Sequence, residues 1–265
     1  MQIETLLHAF AFPPLVVQGI EAFADNLIGA GTPMNFYVGT SGYSYPKWKG
    51  TFYPKELPTK QLLRFYGGQF RTVEINYTFR RLPTPSVLKT WADAVPADFQ
   101  FVLKAPEQIT HRQRLKDAAD PVASFLDTAA QFKERLGPLL FQLPSNFKKD
   151  VPRLRAFLAS LPRQRRVTFE FRHPSWFADE VFELLRLRHI ALGIADAEGD
   201  LEVPVAATTD WGYLRLRRPA YSTAALKTWV KRVQKQPWQD AFVFFKHEDK
   251  GKGPQLAKRF MELAT

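Results

Sequence analysis

The chain has 265 residues, 45% hydrophobic and 24% charged, which suits one large α/β domain or two small ones. It contains no cysteine, which excludes disulfides, thiolate metal ligands and cysteine nucleophiles and fits a reducing compartment. The formal net charge is +11, and residues 1–46 hold no Lys or Arg, only Glu4, Glu21 and Asp25, so the remainder carries 37 bases against 23 acids, a balance of +14. A basic surface favours anionic partners: phosphorylated metabolites, nucleic acid or acidic lipid.

Residues 1–34 lack the strand–helix alternation of the rest of the chain and read as an N-terminal extension, with the main domain over 35–265. The apolar run from His8 to Ile20 is broken by Pro13-Pro14. It is shorter than a membrane span needs and lacks the basic start of a secretory signal. No membrane segment is expected, and the protein is expected in the cytoplasm.

From residue 35 onward strand and helix signals alternate. Asn35–Gly39 reads as strand one, followed by an aromatic loop over 45–58. A helix over 59–70 leads to strand two, Thr72–Asn76. Thr84-Pro85 is a helix start, with Thr as cap and Pro at the first helical position. Strand three is Phe99–Lys104. Asp120-Pro121 opens a helix that ends before Gly137-Pro138, and Leu139–Leu143 is strand four. Asp150 opens the next helix.

Strand five begins at Val167 and runs into Glu170-Phe171-Arg172-His173-Pro174-Ser175-Trp176. Alternation puts Glu170 and Arg172 on one face and Phe169 and Phe171 on the other. A helix is predicted over 175–188. Ile190–Ala195 is strand six, ending at Asp196. Tyr213–Arg217 is strand seven, Ser222 caps a helix, and Phe242–Lys246 is strand eight.

Eight strands alternating with helices predict a single (β/α)8 TIM barrel with one irregular step: Asp196 to Arg215 is too short for a full helix and its loops. A doubly wound sheet competes, but no glycine-rich phosphate loop follows strand one.

In a TIM barrel chemistry sits at the C-terminal ends of the strands. Those ends carry Tyr43 after strand one, Glu74 and Asn76, Lys104, Gln142, Glu170 with Arg172 and His173, Asp196, Arg215 and Lys246. Acids and bases confined in one cup shift each other's pKa values, which suits acid–base work, and the surplus of bases suits a phosphate or carboxylate. On this reading Glu74, Glu170, Asp196 and His173 are the catalytic candidates. Lys104, Arg172, Arg215, Lys246, Asn76, Gln142, Tyr43 and Trp176 are the substrate-binding ones. A ring of internal salt bridges closing the barrel top is the competing explanation.

Glu74, Glu170, Asp196 and His173 form an oxygen-rich set that suits a divalent ion, but no His-x-x-x-His or paired-acid spacing supports one, and the nearby bases argue against it. No metal and no cofactor is assigned. Tyr43, Tyr45, Trp48, Phe52 and Tyr53, near Lys47 and Lys49, either roof the cup, stack on single-stranded nucleic acid, or form a small satellite core.

Several stretches resemble the YecE-like family, known as domain of unknown function 72. They are GTSGYSYPKWKGTFYP (39–54), FRTVEINYTFRRLP (70–83), FVLKAPEQITHRQRL (101–115), LGPLLFQLPSNF (136–147), FEFRHPSW (169–176) and YLRLRRPAYS (213–222). The resemblance covers residues 36 to about 263 and implies a TIM barrel. It brings no reaction and no residue roles. Two departures make this rim more basic: Phe245-Lys246-His247-Glu248 replaces a Phe-Asn-Asn type ending, and Arg215-Leu216-Arg217-Arg218 replaces Arg-x-His-Gly.

The expectation is therefore a TIM-barrel protein, an enzyme in the first reading, acting on a small anionic substrate by hydrolysis, isomerisation or lyase chemistry. The alternatives are a nucleic-acid-binding protein and a non-catalytic scaffold. Oligomeric state is not specified by the sequence.

Overall fold

A computed structural model describes residues 34–199, 201–246 and 249–265. The N-terminal extension except Met34, and His247 and Glu248 beyond strand eight, lie outside the described residues. Eight parallel strands form one sheet: β1 (Asn35–Thr40), β2 (Thr72–Ile75), β3 (Gln100–Lys104), β4 (Leu136–Gln142), β5 (Val167–Glu170), β6 (Ala191–Asp196), β7 (Trp211–Leu216) and β8 (Asp240–Phe245). Spatial order follows chain order, and β8 returns to pair with β1 from Asn35↔Asp240 to Thr40↔Phe245.

The seam between β1 and β2 is stitched differently from the other strand pairs. The Gly42 N–H donates to the Glu74 carbonyl at 2.8 Å. The Tyr66 hydroxyl accepts from the Thr40 N–H at 2.8 Å and donates to the Thr72 carbonyl at 3.1 Å. Gly39 permits this approach, since a Cβ there would fall 2.3 Å from the Thr72 carbonyl oxygen. One phenol thus satisfies backbone groups that a regular ladder would otherwise pair.

The intervening helices are α1 (Leu62–Gly67), α2 (Tyr77–Arg80), α3 (Pro85–Asp93), α4 (Ala119–Ala130), α5 (Val151–Ser160), α6 (Asp179–Leu187), α7 (Thr223–Gln234) and α8 (Lys252–Ala264). Three helix starts carry the capping side chains expected of them. Thr84 caps α3 by accepting from Val87 N at 3.5 Å, Asp150 caps α5 from Arg153 N at 3.0 Å, and Ser222 caps α7 from Ala225 N at 3.2 Å. As expected, no helix joins β6 to β7 among the described residues. Thr208 ties that extended crossing to β6, accepting from Leu192 N at 2.9 Å and donating to the Ile190 carbonyl at 2.7 Å.

Gly137-Pro138 corrects one expected boundary. The pair lies inside β4 rather than ahead of it, and α4 ends earlier, at Ala130. Pairing with β3 slips there, from Phe101↔Leu136 to Leu103↔Leu139. A β-bulge absorbs the slip: proline has no N–H for the ladder, and Gly137 leaves room for Val102, whose methyl would lie 3.1 Å from an added Cβ. The helix expected over 175–188 also divides, into a single turn at Pro174–Trp176 and then α6.

Two apolar layers result. Phe101, Leu103, Phe141, Phe169, Phe171, Leu192, Ile194 and Leu214 face the helices. Val102, Leu140, Ala191, Trp211, Tyr213, Phe242 and Phe244 fill the barrel. The N-terminal mouth is closed by Asp240, which accepts from Arg166 at 2.6 Å and Asn35 at 3.0 Å.

Candidate functional site

The inward residues set the frame. Because Val102, Leu140, Tyr213 and Phe244 fill the interior, strand alternation sends Lys104, Gln142, Arg215 and Lys246 inward one layer higher. Glu74 and Glu170 join them from β2 and β5. Glu74, Glu170 and Arg215 are almost wholly buried, at 0%, 0% and 2% exposure.

Arg215 reaches across the barrel to hold both carboxylates. Its Nη2 donates to Glu74 Oε1 at 2.8 Å, and its Nε lies 2.8 Å from Glu74 Oε2. Its Nη1 donates to Glu170 Oε2 at 2.8 Å and more weakly to Gln142 Oε1 at 3.3 Å. Tyr213 donates to Glu74 Oε2 at 2.7 Å, and Arg172 pairs with Glu170 Oε1. The span is open because β6 contributes only Ala191, Gly193 and Ala195 to the interior.

Electrostatics follows from this wiring. Burial alone would push the Glu74 carboxyl up, but Arg215 and the Tyr213 hydroxyl more than offset it and hold it below the usual range. Burial opposes ionisation of Glu170 too, yet Arg215 and Arg172 bring it down to about 2. Both acids are anionic at neutral pH with their oxygens engaged. Burial, then the facing Glu74 carboxylate, raises the Tyr213 hydroxyl well above its usual value.

Lys104 and Arg217 are not neutralised in this way. Burial brings Lys104 down to about 8, with Arg215 and Lys246 adding to the fall and Glu74 and Glu170 resisting it. Its Nζ lies 3.9 Å from the centroid of the Phe79 ring, and Phe79 meets His111 edge-on at 5.0 Å. Arg217 is lowered to about 10 by burial and then by Arg172 and Arg215, and its Nε is buried without a hydrogen-bond partner. Ser41 Oγ is buried beside Glu74 and makes no well-formed hydrogen bond either.

Arg217 and Tyr213 were not among the residues expected at the site. Both were legible: two positions either side of Arg215, they share its inward face. Asn76, on the face of Glu74, is half-buried at the start of α2. Tyr43 lies in the turn after β1, its hydroxyl pushed up to about 12 by burial.

Three expected residues are not brought to the cup. Asp196 shares the outward face of Leu192 and Ile194, where it accepts from Arg218 at 2.6 Å, Tyr221 at 2.9 Å and Trp229 at 3.0 Å. His173 follows the outward Phe171, and its Nδ1 caps the next turn by accepting from Ser175 N at 3.1 Å. Trp176 is fully buried, stacked on Phe171 at 4.8 Å and donating to the Phe147 carbonyl at 2.7 Å. The four-residue oxygen-rich set considered for a divalent ion therefore does not assemble.

The aromatic loop is part of the outer hydrophobic core, with Phe52 packed against Phe65, Tyr66 and Phe70, rather than a separate satellite. Trp48 and Tyr53 are each 1% exposed, and Trp48 contacts Tyr45 at 4.7 Å and Phe52 at 5.8 Å. Packed this way, their faces are not free to stack on bases.

Parallel strands closed around a packed interior, with a polar layer at their C-terminal ends, define a TIM-barrel-like protein. The chain belongs to the family described as Protein of unknown function DUF72, whose model matches residues 37–265. It is 34% identical over 143 residues to UPF0759 protein YecE of Escherichia coli K12, covering 54% of this chain and spanning about half (50%) of that relative's length. It is 23% identical over 273 residues to UPF0759 protein YunF of Bacillus subtilis, covering 86% and 94% of the two chains. A solved DUF72 family protein from Thermotoga maritima superposes with a TM-score of 0.75 at 29% identity, covering 86% of this chain and 98% of that one. One from Enterococcus faecalis gives 0.72 at 18% identity, covering 86% and 95%, a likeness of fold. Among the described residues no helix is long and apolar enough to cross a membrane.

Proposed function

We propose that the cup binds a small anionic ligand, a phosphate or carboxylate compound, and is the active site of an enzyme. The observation that carries this is the charge imbalance. Among the described residues two buried acids face Lys104, Arg172, Arg215 and Arg217, and both acids are already saturated by Arg215, Arg172 and Tyr213. Internal salt bridges explain Glu74, Glu170, Arg172 and Arg215. They do not explain Lys104 and Arg217, whose charged forms are penalised by burial and by like charge. An incoming anion would relieve that penalty through charge-assisted hydrogen bonds.

The division of labour differs from the one expected from the sequence. Glu74 and Glu170 are ill suited to proton transfer, since each is stabilised as an ion; they serve to hold Arg215. Lys104 sits closer to neutrality and is the better acid–base group. Isothermal titration with inorganic phosphate and with pyruvate tests the reading. Binding by wild type that weakens about 10- to 100-fold in Arg217→Ala is expected from the loss of one charge-assisted contact. Equal affinity in wild type and variant would count against it.

A further inference from the structure

We propose that Lys104 is a covalent nucleophile, condensing with the aldehyde or ketone carbon of an anionic ligand to form a Schiff base. This rests on the anion-binding reading above and names the substrate class as carbonyl compounds that carry a phosphate or carboxylate.

The geometry separates Lys104 from its cationic neighbours. Arg215 and Arg172 are ion-paired, whereas no carboxylate among the described residues lies within ion-pair distance of Lys104 Nζ. Its contact is instead the Phe79 ring face at 3.9 Å. It stands half-buried at the inward C-terminal end of β3, where its backbone carbonyl accepts from Thr78 at 2.7 Å. A ligand held through its anion by Arg217 would place a neighbouring carbonyl within the same cup.

The groups facing Lys104 come from every side. They are Glu74 from β2, Glu170 from β5, Arg215 from β7, Lys246 after β8 and His111 from the following turn. Burial and the cations among them outweigh the acids, which keeps a usable fraction of the amine neutral near pH 8. An amine desolvated beside other cations is a recognised way to activate lysine.

The step balances without any redox partner. The neutral nitrogen attacks the carbonyl carbon, and the C=O π pair moves to oxygen, which takes a proton to give a carbinolamine. Expulsion of that oxygen as water, with a second proton, forms C=N. In sum, ammonium plus carbonyl gives iminium plus one water.

The test is reductive trapping with cyanoborohydride, using pyruvate and glyceraldehyde 3-phosphate as probes, followed by peptide mapping. At pH 7.5 Lys104 is expected to be labelled at least roughly tenfold faster than any surface lysine, because ordinary lysines titrate near 10.4. Its labelling rate should rise to a plateau above about pH 8. Lys104→Arg, which keeps the charge but cannot condense, should lose the fast adduct while retaining phosphate-induced thermal stabilisation. Mapping the wild-type adduct decides the matter even if that variant folds poorly. Labelling spread evenly over the lysines, while phosphate still stabilises the protein, would overturn the nucleophile and leave the anion site standing. Neither labelling nor stabilisation would overturn both.

Discussion

Replacing Arg215 with methionine should expose how the cup is held together. Arg215 is 2% exposed and contacts Glu74 and Glu170, both at 0%. Methionine preserves much of the volume but leaves Glu74 with only Tyr213 and Glu170 with only Arg172 among these partners. Breaking a buried pair by removing one partner costs about 3–5 kcal/mol, because a charge is left uncompensated. In a domain of this size that corresponds to a fall of roughly 6–20 °C in Tm. The pH dependence identifies the cause. In wild type both folded-state pKa values are depressed, so the stability they contribute persists through neutral and mildly acidic pH and is lost only as pH falls toward about 2, the value for Glu170. In Arg215→Met the balance at Glu74 reverses, since burial then dominates and raises its pKa above the unfolded value. That penalty disappears as pH falls through the raised pKa, so the variant's deficit should shrink on acidification from pH 7 to 5. Urea titrations at several pH values would measure it. A loss below about 1 kcal/mol, or a larger one unchanged between pH 7 and 5, would refute the assignment of Arg215 as the buried counter-ion.

The same wiring sets three other outcomes. Arg217→Ala should leave stability unchanged or raise it in urea, because a half-buried cation with no ion pair among the described residues and a buried, unbonded Nε is removed. Asp196→Asn should cost about 1–3 kcal/mol through weakened contacts to Arg218, Tyr221 and Trp229, with phosphate affinity unchanged, since Asp196 faces the helices. The stability difference between wild type and Lys104→Met should shift in favour of wild type as pH climbs from about 8 toward 10.5, because the unfolded chain holds the Lys104 proton more tightly than the folded one; a difference that stays constant over that range in urea titrations would count against it.

The sequence determined the strand count, the helix caps at Thr84, Asp150 and Ser222, and the missing helix before β7, because these depend on local spacing and on side chains next to the backbone they cap. It also marked Glu74, Lys104, Gln142, Glu170, Arg172 and Arg215, which strand alternation turns to a single face. Position at a strand end carries less information than the face occupied. Asp196 belongs with Leu192 and Ile194, so it points into the helix layer although it closes its strand, and His173, three residues past the end of β5, caps the following turn instead. Only the tertiary structure decided which acid meets which base. That pairing depends on Arg215 crossing a space that β6 leaves empty, a distance set by barrel closure and absent from any local pattern. Among the described residues the same closure leaves Lys104 and Arg217 without an ion-paired carboxylate, because Glu74 and Glu170 are already spent on Arg215 and Arg172.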